Sequence, residues 1–222
     1  MTMKRAKPRV GTCAFIFWII AAGLLSPLSL AEEPGSGIVI NEFFANAEGP
    51  NAGFQWVEIY NASGDDVDLA EWSIWRALNG TTQNWSSRYI VPADITLPSG
   101  MFLVIGDEFS PATLLLKSGT SLGLGIAGTT GNGVRLQDAF GNIIDTVIYG
   151  PNNDHQFLDD TGNVATSLGP QPGEGQSIAR ISDGVDTDQS GDDFILLDSP
   201  TPGEPNRLPE IFDDRFEQNL NP

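Results

Sequence analysis

The chain has 222 residues, of which 29 are acidic and 11 basic, and its net charge at pH 7 is −18. Nucleic acid binding requires a basic surface that displaces counterions from phosphates, so this charge argues against a nucleic acid partner. The single histidine, His155, excludes multi-histidine zinc sites, and the single cysteine, Cys13, excludes a disulfide within the chain.

The first 31 residues have the organisation of a secretory signal peptide. A basic segment within residues 4–9 precedes the apolar segment Gly11–Leu25, and small residues lie at the cleavage positions Ser29–Ala31. We therefore predict cleavage after Ala31, with an uncleaved membrane anchor as the alternative. Cleavage would make the product a secreted protein of the extracellular space, the cell surface or the periplasm, with no remaining membrane span.

The predicted mature chain is even more acidic than the full sequence. Removing the four basic residues of the signal peptide leaves seven of the 11 against all 29 acidic ones, a net charge of −22. This charge favours solubility outside the cell or the binding of divalent cations. Because no cysteine remains, the core alone must hold the fold together. Residues 32–37 form a short linker before the first predicted strand.

Ten short runs of β-branched and aromatic residues follow one another, separated by Gly, Asn, Asp, Pro and Ser. This pattern predicts an all-β fold of two packed antiparallel sheets. The runs are Ile38–Phe44, Phe54–Tyr60, Trp72–Ala77, Arg88–Val91, Met101–Ile105, Leu122–Ile126, Val134–Gln137, Ile143–Tyr149, Gln176–Ile181 and Phe194–Leu197. Between them, Pro111–Lys117 predicts one short helical turn.

Two segments interrupt or follow this pattern. In the strand Ile143–Tyr149, the face formed by Ile144, Thr146 and Ile148 is the better candidate for the core, by the two-residue period. Residues 150–175 are poor in apolar side chains, so we predict a long loop insertion anchored by Phe157 and Leu158. Residues 207–222 predict a flexible C-terminal tail.

Five segments, taken in order, resemble the lamin tail domain family in its secreted bacterial branch. They are IVINEFFANAEG (38–49), WVEIYNASGDDVDLAEWSI (56–74), LPSGMFLVIGD (97–107), VRLQDAFGNIIDTVIYG (134–150) and DTDQSGDDFILLDSPTPGEPN (186–206). The resemblance implies an immunoglobulin-like antiparallel β-sandwich over residues 38–206 and an exported accessory or binding module, and it brings no catalytic residues. The coiled-coil rod of nuclear lamins is missing, so nothing about filaments or the nucleus is carried over.

The stretch DGVDTDQSGDDF (183–194) contains a partial calcium-binding pattern. Oxygen-bearing side chains occupy the first, third and fifth places, and Gly191 occupies the sixth, where the loop must turn sharply. The twelfth place holds Leu197 instead of a bidentate glutamate, and no flanking helices are predicted. The alternative is an ordinary solvated loop. The candidate calcium ligands are Asp186, Asp188, Ser190 and Asp192.

Two further groups are candidates for chemistry or ligand binding. Glu42 and Glu58 are carboxylates on neighbouring predicted strands and could form a glycosidase pair, although ordinary strand residues that face solvent or cap a sheet edge are the simpler interpretation. Trp72, Trp75 and Trp85 lie close together in the sequence, and Trp72 and Trp75 should point to opposite sheet faces. One indole would then be outside and available to a sugar or a protein partner.

The sequence thus predicts an exported, non-enzymatic binding or adhesion module at the bacterial surface or in the extracellular space. No cofactor is required, and calcium is a candidate stabilising ion. The partner is expected to be a protein or a surface glycan. The alternatives are a glycan-binding module or a glycan hydrolase that works with carboxylates alone.

Overall fold

The computed structural model describes residues 37–77, 82–107, 115–119, 121–126 and 128–209. The predicted signal peptide and the part of the predicted tail beyond residue 209 lie outside these ranges. The strands are β1 (Ile38–Phe44), β2 (Trp56–Asn61), β3 (Val67–Asp68), β4 (Ser73–Ala77), β5 (Trp85–Ile90), β6 (Thr96–Leu97), β7 (Phe102–Gly106), β8 (Leu115–Lys117), β9 (Asn132–Gln137), β10 (Ile143–Tyr149), β11 (Ser177–Arg180) and β12 (Phe194–Leu197). The one-turn helix α1 (Ser190–Asp193) precedes β12.

The strands form two main sheets and a two-stranded ribbon. The larger sheet has the order β12-β11-β1-β2-β7-β8, the smaller one has the order β10-β9-β4-β5, and β3 pairs with β6. All described strand pairs are antiparallel except β7 and β8. Among the described residues, no helix is long and apolar enough to cross a bilayer.

The apolar side chains of the two sheets pack against each other in one core. Ile40, Val57 and Ile59 come from the larger sheet, and Ile74 and Val134 come from the smaller one; all five are fully buried. The alternation of these residues with outward-facing ones is what places them between the sheets. The predicted all-β, immunoglobulin-like β-sandwich is confirmed.

Nine of the ten predicted strands form, and the exception is the run Leu122–Ile126. Leu122–Ile126 is irregular, although Leu122 and Leu124 still enter the core. The predicted helical turn was wrong where the structure describes it, because Leu115–Lys117 is a strand parallel to β7. The ribbon strands β3 and β6 have two residues each, which is too short for a periodic signal.

The predicted core face of β10 was wrong for Ile148, although Ile144 does pack against the main core, beyond a register shift between Ile143 and Asp145. Val147 and Tyr149 enter the main core, whereas Ile148 packs on the other side of the sheet against Phe157 and Ala165. The loop insertion covers that outer side, so both faces of β10 are buried. Polar and apolar residues therefore do not alternate in a way that identifies the core face. Phe157 is fully buried, as predicted for the anchor of the loop.

Candidate functional site

An open groove lies between strand β3 and the turn that joins β9 to β10. Its volume is about 470 Å³, and its lining includes Trp72, Phe140 and three carboxylates, those of Asp66, Asp68 and Asp138. Trp72 is 5% exposed and belongs to the core, while Phe140 is 89% exposed, the highest value among the exposed large apolar side chains of the described residues. We call this groove, defined by those five residues, the Phe140 groove.

The turn that presents Phe140 is held by the carboxylate of Asp138. Its Oδ1 accepts hydrogen bonds from the backbone N–H groups of Phe140 (2.9 Å) and Asn142 (2.8 Å), and its Oδ2 accepts one from Asn142 Nδ2 (2.7 Å). Gly141 adopts φ +84°, a conformation that other residues rarely adopt. The backbone that presents the phenyl ring is therefore fixed before a partner arrives.

The other two carboxylates of the groove retain hydrogen-bonding capacity. Asp66 Oδ1 accepts from the backbone N–H of Ser99 (3.0 Å), and Asp68 Oδ1 accepts from that of Ala70 (2.9 Å). In the hydrogen bonds found between described residues, Oδ2 of Asp66 and Asp68 accepts none. Both residues are exposed, so a ligand can reach these oxygens.

Glu42 and Glu58 lie directly opposite each other on β1 and β2, and both are fully buried. Expecting them to face solvent was wrong. Their neighbours Phe43 and Val57 enter the core, so the two carboxylates are on the opposite face of the sheet. Desolvation by burial raises the pKa of Glu42, and it raises the pKa of Glu58 to about 8.

A segment after β12, residues 199–206, covers the two carboxylates; we call it the C-terminal strap. Thr201 donates to Glu42 Oε2 through its hydroxyl (2.8 Å) and to both carboxylate oxygens through its backbone N–H (3.1 Å each). The backbone N–H of Gly203 donates to Glu58 Oε2 (2.5 Å). The Asn206 side chain donates to the backbone oxygen of Arg180 (2.9 Å). The strap thus withholds both carboxylates from any substrate.

Arg180 forms the centre of a second buried polar cluster. Its Nη2 lies 2.7 Å from Asp145 Oδ2, and its Nη1 lies 3.1 Å from Asp193 Oδ2 and 3.3 Å from Asp186 Oδ1. Arg180 Nε donates to the backbone oxygen of Ile40 (2.8 Å), while the Ile40 N–H donates to Asp145 Oδ2 (2.7 Å). The ion pair thereby satisfies backbone groups of β1 that β11 does not reach.

Asp145, Asp160 and Asp186 form the one group of potential metal ligands found among the described residues. One carboxylate oxygen of each lies within 4.8 Å of the others. Desolvation raises the pKa of Asp145 to about 6; desolvation, followed by the charges of Asp145 and Asp186, raises that of Asp160 to about 8. Chemically, the group can hold a proton or contribute three of the six to eight oxygens that calcium requires.

The structure does not bring the four predicted calcium ligands together, and in this respect the prediction is corrected. Asp186 joins Asp145, whereas Ser190 begins α1 and its Oγ accepts from the backbone N–H of Ile148 (3.1 Å). Asp188 adopts φ +58° and donates its backbone N–H to Asp186 Oδ1 (3.1 Å). Asp192 is exposed.

The three predicted ligand-binding tryptophans are distributed over both faces of the smaller sheet. Trp72 lies in the core, and Trp75 and Trp85 lie on the outer face. The Trp85 ring is covered by the guanidinium of Arg135 (3.9 Å) and the ring of Phe157 (5.3 Å). Trp75 is half-buried, so the three indoles do not form one platform.

A comparison with protein families decides the classification. The model of the Lamin Tail Domain matches residues 31–151, more than half of the chain. The chain belongs to the lamin tail domain family. The matched part contains β1 to β10 and the whole Phe140 groove. It stops before β11, β12 and the C-terminal strap, so this match does not cover the resemblance proposed for residues 186–206.

The other comparisons are with curated proteins and with solved structures. Among curated proteins, no match was found. Among solved structures, a DUF4876 family protein from Bacteroides thetaiotaomicron VPI-5482 is 12% identical, with a TM-score of 0.45. The alignment covers 77% of this lamin tail domain protein and 72% of that chain.

Sequence reasoning missed the Phe140 groove and the role of Arg180. Phe140 lies within the turn Ala139–Asn142, and a phenylalanine at the tip of a polar hairpin was a signal that could have been used. Asp66 and Asp68 carry no sequence signal that distinguishes them from other acidic residues near turns. Arg180 has no local signal, because its partner Asp145 lies 35 positions away in the sequence.

Proposed function

We propose that this lamin tail domain protein is an exported, non-enzymatic binding module that contacts its partner through the Phe140 groove. The observation that supports this most is the 89% exposed phenyl ring on a turn held by three hydrogen bonds. Large aromatic side chains contribute much of the binding energy at protein interfaces, above all where they are already ordered.

The place of the groove at the end of the sandwich also supports a binding role. Loops on a rigid sheet scaffold can change their contacts without disturbing the core, and binding residues are therefore concentrated there. Export is proposed from the predicted signal peptide, residues 1–31, and from the strongly acidic composition. On this basis the module acts at the cell surface or outside the cell.

The glycan hydrolase is the weaker candidate. Its two carboxylates, Glu42 and Glu58, accept hydrogen bonds from the C-terminal strap and have no exposed surface. A glycosidase pair must flank the scissile bond, one carboxyl on each side. A glycan-binding role would have to rely on Trp75, because Trp72 is in the core and Trp85 is covered.

The proposed function is tested by site-specific photo-crosslinking. A photoreactive phenylalanine analogue replaces Phe140 in one sample of the full chain and Val185, a 50% exposed residue outside the groove, in the control. Each is produced in the secreting cells, and adducts are mapped by mass spectrometry. Adducts formed at position 140 and absent at position 185 support the proposal. Equal labelling at both positions contradicts it.

A second assay separates the alternatives. Tryptophan fluorescence is followed across a glycan panel while the release of reducing sugars is measured. No quenching and no release agree with a protein partner. Quenching without release indicates a sugar-binding module, and release would overturn the non-enzymatic assignment.

A further inference from the structure

We infer that the Phe140 groove binds a basic segment of a partner protein, in which a lysine or arginine lies next to an apolar side chain. This inference rests on the proposed function, because it specifies the partner chemistry for the same groove. It is argued from the charge, the apolar surface and the rigidity of the groove.

The negative charge of the groove indicates that its occupant is positively charged. Three carboxylates and no basic side chain line it, and Oδ2 of both Asp66 and Asp68 faces no donor among the described residues. A second copy of this chain would bring the same negative charge, −18 over the full sequence, so self-association is disfavoured. Nucleic acid is disfavoured for the same reason. A cationic partner is attracted, and its charge would be placed against Asp66 and Asp68.

The apolar surface determines what accompanies that charge. Trp72 lies at the groove, and Phe140 projects from its rim. Lysine and arginine cover apolar surface with their methylene stems while the charged end stays with oxygen ligands, and their cations are attracted to aromatic faces. An apolar neighbour in the partner would cover the remaining exposed surface of Phe140. A volume of about 470 Å³ is within the range of ligand sites.

The groove is ordered before any partner arrives, which favours specific binding over loose ionic attraction. Asp138 fixes the turn on one side, and the backbone hydrogen bonds to Asp66 and Asp68 fix the other. The backbone of neither rim has to be ordered on binding. Specific binding should therefore depend on Phe140 as well as on the carboxylates, whereas diffuse attraction to an acidic protein would depend on total charge alone.

The test uses three fluorescein-labelled peptides of nine residues and the full chain at 150 mM salt. One peptide alternates lysine with phenylalanine, one alternates lysine with serine, and one alternates glutamate with phenylalanine. Binding is measured by fluorescence anisotropy. We expect saturable binding of the lysine–phenylalanine peptide, binding of the lysine–serine peptide at least tenfold weaker, and no binding of the glutamate peptide.

Matched variants then locate the binding. Phe140→Ala and the double variant Asp66→Asn, Asp68→Asn each weaken binding of the lysine–phenylalanine peptide about tenfold or more. Asparagine keeps the oxygen that accepts from the backbone, so the fold is preserved. The controls change exposed residues outside the groove in the same chemical way: Val185→Ala and the double variant Asp154→Asn, Asp192→Asn, which also removes two charges, alter binding less than twofold.

Three outcomes overturn the inference. Equal weakening by the double control Asp154→Asn, Asp192→Asn and by the groove variants would show diffuse attraction to an acidic protein. Stronger binding of the glutamate peptide than of the lysine–phenylalanine peptide would show that the partner is not cationic. No binding of the lysine–phenylalanine peptide would show that the groove does not bind basic, apolar segments. If crosslinking through position 140 nevertheless succeeds, the binding function stands and the partner chemistry alone is wrong; if both fail, the proposed function fails as well.

Discussion

Replacing Glu58 by glutamine should change how the stability of the protein depends on pH. Desolvation raises the pKa of this carboxyl from an ordinary 4.5 to about 8, against the opposing effect of hydrogen bonds from Gly203 and Asn41. Between these two pH values the folded state keeps a proton that the unfolded state has released. The free energy of unfolding therefore falls as pH rises through this window, and the contribution is fully present only below about pH 4.5.

The size of the effect follows from the same window. Each pH unit corresponds to about 1.4 kcal/mol for one group, so the proton of Glu58 accounts for up to about 5 kcal/mol between pH 4.5 and pH 8. Glu58→Gln removes this slope, because an amide does not titrate. Both carboxyl oxygens of Glu58 accept hydrogen bonds, and the amide NH2 of glutamine cannot accept one of them, so one buried donor loses its acceptor at a pH-independent cost of about 1–3 kcal/mol.

The assay is urea unfolding at half-unit steps from pH 4.5 to pH 8.5. The wild-type protein should lose stability over this range, and Glu58→Gln should lose less and become the more stable of the two near pH 8. The matched control is Glu204→Gln, the same change at an exposed residue of the C-terminal strap. Wild-type, Glu58→Gln and Glu204→Gln curves that run parallel would show that Glu58 is ionised in the folded protein, and the reasoning would be refuted.

Three further predictions concern the loop, the buried ion pairs and calcium. Phe157→Ala should lower the free energy of unfolding by about 3–5 kcal/mol in urea titrations, while Phe140→Ala should change it by less than about 0.5 kcal/mol; equal effects would contradict the burial of Phe157. Arg180→Met should cost about 3–5 kcal/mol, because Asp145 and Asp193 lose their buried counter-charge, and a cost below 1 kcal/mol would show that these acids are not ionised. Calcium binding by Asp186 stays a prediction: a thermal melt should shift upward with calcium, by about 2.7 kcal/mol of stability at a hundredfold excess over Kd, and return with chelator or with Asp186→Asn. An unchanged midpoint would discard the site.

The strands were predictable because each is a short run of β-branched and other apolar or aromatic residues between turn-forming residues. Runs such as Ile38–Phe44 and Phe194–Leu197 show this within a few neighbouring residues, and both strands form with the predicted bounds. The face of β10 was not predictable, since the residues that cover Ile148 belong to a loop that follows the strand. Burial by a distant segment leaves no mark on the local pattern.

The site residues show the same distinction between local and distant causes. The Asp138 turn depends on residues at most four positions apart, so the sequence Ala139–Asn142 is enough to indicate a hairpin. Glu42 and Glu58 looked like solvent-facing residues because the groups that bury them arrive from far along the chain, 159 positions away in the case of Thr201. The predicted calcium pattern assumed that a sequence spacing fixes a loop geometry. Here the Ile148 N–H and the Arg180 guanidinium compete for the same oxygens.

The C-terminal strap lies outside the segment that matches the family, although it contacts residues within that segment. The segment that matches the family, residues 31–151, contains Glu42 and Glu58 but not the donors Thr201 and Gly203. It also contains Asp145 without Arg180, its buried partner. Without residues 177–206 the larger sheet would lose β11 and β12, and the core would lose Ile178 and Phe194, whose burial contributes several kcal/mol. The matched segment is therefore incomplete as a folding unit, because residues 177–206 complete its sheet, its core and the cover of its acids.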